Sequence, residues 1–208
     1  MRGNAAELRS EWLAVFACWR STEAAALAEF AVALPLLIVL VVGIYDFGGA
    51  FNMKQELNNA LREGARFGAA QPTNDLYSTG TSPCSTAVPC SVEAIRYVVD
   101  SYLLQAKIND CGLSGASGVS GAALTWTYTA TSYPCTAALP LQLTICRGGP
   151  SCTPLETLPN VQTQVYLLST TVTISYPFQW YSAGALRGLA GLSLPLTITT
   201  QATAVNMD

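Results

Sequence analysis

Residues 24–45 read AAALAEFAVALPLLIVLVVGIY, a run that is apolar except for Glu29. At a rise of about 1.5 Å per residue, a helix of this length matches a hydrocarbon core of roughly 30 Å. A cleavable secretory signal would have a shorter apolar region followed by a small-residue cleavage motif. Here the run passes into Tyr45-Asp46-Phe47-Gly48 with no such motif. The stretch therefore reads as a retained membrane helix, and the lipid bilayer is the first partner expected.

Beyond the span, helical periodicity continues. Ala50, Met53, Leu57, Ala60, Leu61, Gly64, Ala65 and Gly68 recur at steps of three and four, which marks one face of a helix. Asn58, Asn59, Arg62, Glu63 and Arg66 fill much of the rest. Gln71-Pro72 ends the helix, because the residue before proline avoids the helical region. One long helix is expected near residues 25–70, membrane-buried first and amphipathic second.

A loop over 72–91 precedes a second helix at about 92–108. Ser91 is the expected N-cap, and Val92, Ile95, Val99, Tyr102, Leu103 and Ala106 form its apolar stripe. Residues 112–121, GLSGASGVSG, read as a flexible loop. Four segments then alternate with period two: Leu124 to Tyr128, Leu139 to Ile145, 163–177 and 194–205. Threonine recurs on their other face, the pattern of a half-buried antiparallel sheet. The fold class is thus α+β: a long N-terminal helix, and a second helix packed on an antiparallel sheet of about four strands, in a disulfide-bonded arrangement. The expected organisation is a cytoplasmic leader at 1–24, a transmembrane helix at 25–45, an amphipathic extension at 46–71 and a periplasmic domain at 72–208.

Composition narrows the function. The net charge of −3 offers no basic stripe for phosphates, so no nucleic-acid partner is expected. Histidine is absent, which removes Ser-His-Asp and Cys-His catalysis and the commonest metal ligand. With no paired acid motif in the C-terminal part, neither enzymatic activity nor a cofactor is expected.

Of the 7 cysteines, Cys18 precedes the span, while Cys84, Cys90, Cys111, Cys135, Cys146 and Cys152 follow it. An even set in a Gly/Pro-rich domain reads as disulfides in an oxidising compartment. CxxC spacing is missing, which argues against zinc. Short loops close most easily, so Cys84–Cys90, Cys111–Cys135 and Cys146–Cys152 are the simplest pairings, with others open. Charge does not orient the helix: Arg2, Arg9 and Arg20 precede it, and Lys54, Arg62 and Arg66 follow. The cysteines do, placing the C-terminal part in the periplasm and Cys18, reduced, in the cytoplasm.

Glu29 needs a reason, since a charge inside an apolar span costs about 2.5–3.5 kcal/mol on insertion scales. A snorkelling or protonated carboxyl at the span's edge is the plainer reading. Pro35 removes one helical hydrogen bond, which membrane helices tolerate. The small residues Gly64, Ala65 and Gly68 permit close approach, either to a partner helix or to the chain's own sheet.

Taken together, Glu29-Phe30-Ala31-Val32-Ala33-Leu34-Pro35-Leu36-Leu37, then Gly43-Ile44-Tyr45-Asp46-Phe47-Gly48, then Arg62-Glu63-Gly64-Ala65-Arg66 resemble the TadE-like family of minor pilins or pseudopilins. These serve the tight-adherence (Flp) pilus system. The resemblance covers residues 24–70 and is only general beyond. It implies insertion by the helix, cleavage by a prepilin peptidase between Ala24 and Ala25, and contact with other pilin-like subunits and pilus assembly proteins. Glu29 then corresponds to the family's motif glutamate, fifth from the new terminus, with Phe30 next. The position before the cut holds Ala24 where glycine is typical. A second reading, an unprocessed membrane-anchored binding or adhesive module outside any fibre, therefore stays open beside the first. If cleavage occurs, the new ammonium at Ala25 is a natural partner for a neighbour's Glu29, and such a buried pair sets axial register.

Overall fold

A computed structural model describes residues 22–76, 88–121, 124–148, 152, 168–182 and 196–206, with side chains from Ala25 onward. The chain divides into two compact units, Met1–Gly48 and Gly49–Asp208. Helix α1 runs Thr22–Ala69 and contributes to both. Pro35 lies inside it, so the carbonyl of Ala31 loses its usual helical donor.

The second unit is built on the amphipathic end of α1. Leu57, Ala60 and Leu61 are fully buried and Ala65 is 1% exposed, while Asn59, Arg62, Glu63 and Arg66 face out. The amphipathic end of α1 thus supplies part of this unit's core. Helix α2 spans Cys90–Gln105, starting earlier and ending earlier than the periodicity suggested. Pro89 occupies the N-cap and offers no side-chain acceptor. Asp75 replaces it from a distance: its carboxylate accepts from the Ser91 amide at 2.8 Å and from Ser91 Oγ at 3.0 Å. Ser91 is therefore a donor to a cap and not the cap itself.

At the other end Lys107 adopts φ 59°, the left-handed conformation that stops a helix. Its amide reaches the Leu104 carbonyl at 3.1 Å, and the Ile108 amide reaches that of Leu103 at 2.9 Å. Ile108 and Leu103 are both buried, the apolar contact that accompanies such a stop. A short 3-10 turn, Leu113–Gly115, follows.

Among the described residues, five strands form one antiparallel meander in chain order: β1 Gly118–Ser120, β2 Thr125–Ala130, β3 Leu141–Arg147, β4 Ser169–Phe178 and β5 Leu196–Val205. The count exceeds the expected four because β1 lies in the glycine-rich segment read as a loop. It is a three-residue edge strand pairing Val119 with Thr127, too short to show alternation. Residues 163–167, expected to begin the third strand, lie outside the described residues, as do Leu194 and Cys84.

The inner face carries Trp126, Tyr128, Leu141, Leu143, Ile145, Val172, Ile174, Tyr176 and Ile198. These pack into one core with the stripe of α2, in which Val92, Ile95, Val99 and Leu103 are fully buried, and with α1. The outer face is hydroxyl-rich, with Thr171 and Thr203 Oγ1 2.9 Å apart and Ser175 Oγ 3.1 Å from Thr199 Oγ1.

Candidate functional site: an acidic residue in an apolar helix

The N-terminal part of α1 presents apolar side chains on every side. Leu27 is 71% exposed, Phe30 62% and Leu36 72%, and none of the most apolar window, of mean hydropathy 2.6, is covered by protein. In water such a surface would be strongly unfavourable at about 25 cal/mol per Å². By length and composition this helix suffices to cross a membrane once. Ala25, Glu29 and Phe30 are all exposed on it, and Pro35 lies about one and two-thirds turns beyond Glu29. Ala24 is helical, with its side chain outside the described residues.

Further along the helix, the motif Arg62-Glu63-Gly64-Ala65-Arg66 divides by chemistry. The charged members face out, while Gly64, Ala65 and, a turn on, Gly68 face the core. A methyl on Gly64 would lie 2.6 Å from Val99 Cγ2. One on Gly68 would lie 2.6 Å from both Ile95 Cδ1 and Thr170 Cγ2. These small residues therefore bring α1 against α2 and β4 of its own chain. The surface left for a partner on this stretch is the charged one.

Two polar devices that periodicity did not single out organise the second unit. Arg147, fully buried at the end of β3, holds the C-terminus of α1. Its Nη2 donates to the carbonyls of Gly68 at 2.9 Å and Gln71 at 2.8 Å, its Nη1 to Pro72 at 3.4 Å, and its Nε to Thr170 Oγ1 at 3.4 Å. A cation here satisfies the carbonyls that every helix end leaves unbonded and meets the negative end of its dipole. The signal was legible: Leu141, Leu143, Ile145 and Arg147 share the inward phase of one strand.

The second device links α2 to the sheet and the 3-10 turn. Arg96 donates to Glu93 at 3.1 and 3.2 Å and to the Leu113 carbonyl at 2.9 Å, and lies 5.7 Å over the Tyr128 ring. Tyr128 Oη donates to the same Glu93 carboxylate. Burial, then that carboxylate, push the Tyr128 hydroxyl well above the usual phenol range. One turn on, Asp100 is buried beside Asp110; burial first and the neighbouring carboxyl second raise it to about 6. Tyr176 closes the cluster by donating to the Asn109 carbonyl at 3.0 Å. Both devices brace the fold.

Disulfides join Cys111 to Cys135 and Cys146 to Cys152, with Cα separations of 5.6 and 5.5 Å. The first ties the segment after α2 to the β2–β3 connection. The second fastens the segment beyond β3 next to Arg147. Cys90 is also disulfide-bonded, while its expected partner Cys84 and Cys18 lie outside the described residues. Among the described residues no group of three or more His, Cys, Asp or Glu is arranged to hold a metal ion.

Comparison with known proteins places the resemblance on the same helix. No curated protein matches the chain, and no solved structure does. A family model described as TadE-like protein matches residues 24–66, from the edge of the apolar span to the last charged residue of the Arg62–Arg66 motif. What the chain shares with that family is thus a similarity over residues 24–66, the part of α1 that carries Glu29 and Pro35.

Proposed function

We propose that the chain is a membrane-anchored, pilin-like subunit that takes part in the assembly or structure of a tight-adherence pilus or a related secretion apparatus. The observation that carries this reading is the coincidence of the TadE-like match with an uncovered apolar helix interrupted by Glu29. In this reading α1 crosses the inner membrane with its N-terminus in the cytoplasm. The disulfide-bonded unit then lies in the periplasm, or outside the cell in an assembled fibre. The role is structural and not enzymatic, and the partners are the bilayer, other pilin-like subunits and, if the leader is cut, a prepilin peptidase.

Glu29 is the residue on which the proposal turns. It adds nothing to the stability of the lone subunit, since an acid in an apolar span is a cost. Glu29→Ala should therefore leave membrane abundance unchanged or raised, while crosslinking to the pilus-system subunits falls. Glu29→Gln keeps the shape and removes the charge, which separates pairing with a neighbour's Ala25 ammonium from packing. If Glu29→Ala leaves both association and pilus function intact, Glu29 is a passenger and the assembly reading is wrong.

A second reading has its own observation, the alanine at position 24. An uncleaved chain would stay in the membrane as an anchored binding or adhesive module. N-terminal sequencing of the protein recovered from membranes decides between them: a terminus at Ala25 supports the subunit reading, and an intact leader supports the anchored module.

A further inference from the structure

The turn after β4 places the Tyr181 ring against α1 just beyond its apolar stretch. Gly49 of α1 lies so close to Tyr181 that a methyl there would meet ring atoms at 2.9, 3.6 and 3.9 Å. Tyr181 nevertheless remains 67% exposed. Phe178, buried in the core, meets the Trp180 ring edge-on at 5.5 Å and the Tyr181 ring edge-on at 6.5 Å. Trp180 is half-buried, and Gln179 holds the turn down by donating to the Pro134 carbonyl at 3.1 Å. The segment Gln179–Ser182 carries no charge, and Phe51, half a turn past Gly49, is 65% exposed.

Chain connectivity fixes where this cluster lies if the apolar run is a span. Gly49 follows Tyr45 by four residues, so it lies within about 14 Å of the span's end at any backbone conformation, and about 6 Å as helix. The interfacial layer on each side of the hydrocarbon is about 5–7 Å thick. A ring packed on Gly49 is therefore at headgroup depth or directly beside it. Trp and Tyr favour that layer because their rings are apolar and their N–H and O–H tips reach water. Exposed aromatic rings without charge are what a watery face would not be expected to select, and what the headgroup layer accepts.

We propose that the turn Gln179–Ser182 is a lipid contact of the second unit, with Trp180 and Tyr181 seated in the headgroup layer of the membrane that α1 crosses. The inference rests on reading α1 as a membrane span, and adds a second attachment of the domain to the same bilayer. It is a contact for lipid and not for a soluble ligand, because the rings flank the point where the chain itself leaves the hydrocarbon.

The test uses the full chain in phosphatidylethanolamine/phosphatidylglycerol vesicles, with Trp12→Phe and Trp19→Phe so that only Trp126 and Trp180 emit. Trp126 is core, 3% exposed, and serves as the internal reference. Lipids brominated at a shallow acyl position should quench part of the emission, and adding Trp180→Phe should abolish the quenchable part. Aqueous iodide should reach Trp180 poorly. Trp180 open to iodide and blind to bromine overturns the proposal, provided alkaline carbonate leaves the chain in the vesicles. Protection from both quenchers also overturns it. A chain that carbonate extracts overturns the membrane reading of α1 together with this inference.

Discussion

Replacing Arg147 with methionine tests whether the end of α1 is pinned to the sheet by hydrogen bonds or merely packed there. The methionine keeps most of the stem and removes the guanidinium. Lost with it are two short bonds, to the Gly68 and Gln71 carbonyls at 2.9 and 2.8 Å, and two longer ones at 3.4 Å. Bonds from a charged donor contribute about 1.5–3 kcal/mol each, and the Gly68 carbonyl would be stranded at a buried site and that of Gln71 at a half-buried one. Relief of the desolvation of the guanidinium, several kcal/mol per buried ion, offsets part of this. The expected net loss is about 2–4 kcal/mol, a large share of the 5–15 kcal/mol typical of a domain. Arg147→Lys should fall between, because an ammonium cannot fork across three carbonyls. The assay is urea unfolding of the full chain in detergent micelles with disulfides intact, read by tryptophan emission. It is paired with limited proteolysis across residues 70–76, where the freed helix end should become cleavable. Stability within about 0.5 kcal/mol of the parent, the range of ordinary surface changes, together with an unchanged cleavage pattern would refute the pin.

Two further outcomes follow from the same core. Gly68→Ala should lose about 1–2 kcal/mol, since overpacking of about 1–3 kcal/mol outweighs the better helix propensity of alanine; Gly64→Ala, with one close contact in place of two, should lose less in the same urea titration. Asp100, raised from 3.8 to about 6, makes the folded chain hold a proton that the unfolded chain releases, so stability is fullest below about pH 4 and declines as pH rises through 6. Urea midpoints measured across that window should show the slope, and Asp100→Asn, which keeps the shape beside Asp110 without the charge, should flatten it.

Periodicity carried most of the architecture into the sequence. Leu57, Ala60, Leu61 and Ala65 recur with the helical period and are buried together; Val92, Ile95, Val99 and Leu103 do the same on α2. Strands β2 to β5 alternate long enough for their inner faces to be read. The misses share a cause: each depends on a contact distant in sequence or on a backbone state with a weak local signal. Asp75 caps α2 across sixteen residues, which no local pattern announces. Lys107 takes a left-handed conformation where glycine would have advertised it. Strand β1 is short and glycine-flanked, and pairs only because β2 offers an edge. Arg96 and Asp100 interrupt the apolar stripe of α2 at inward positions, a polar signal that the stripe itself obscured.

The TadE-like match stops at Arg66, but the fold does not divide there. Leu57, Ala60, Leu61, Gly64 and Ala65 lie inside the matched segment, while Ile95, Val99 and the sheet that cover them lie outside it. The matched helix therefore presents one half of a core and the rest of the chain supplies the other. That other half approaches closely at Gly64 and, just past the match, at Gly68, where Val99, Ile95 and Thr170 line the contact. This also separates two roles along one helix. Ala60, Gly64, Ala65 and Gly68 are committed to the chain's own core, so these small residues are not available for packing against another subunit. In the assembly proposed above, contacts from the same helix would come from the uncovered apolar surface around Glu29, or from the outward Arg62, Glu63 and Arg66. A variant that weakens assembly without unfolding the second unit should map to those positions and not to the glycines.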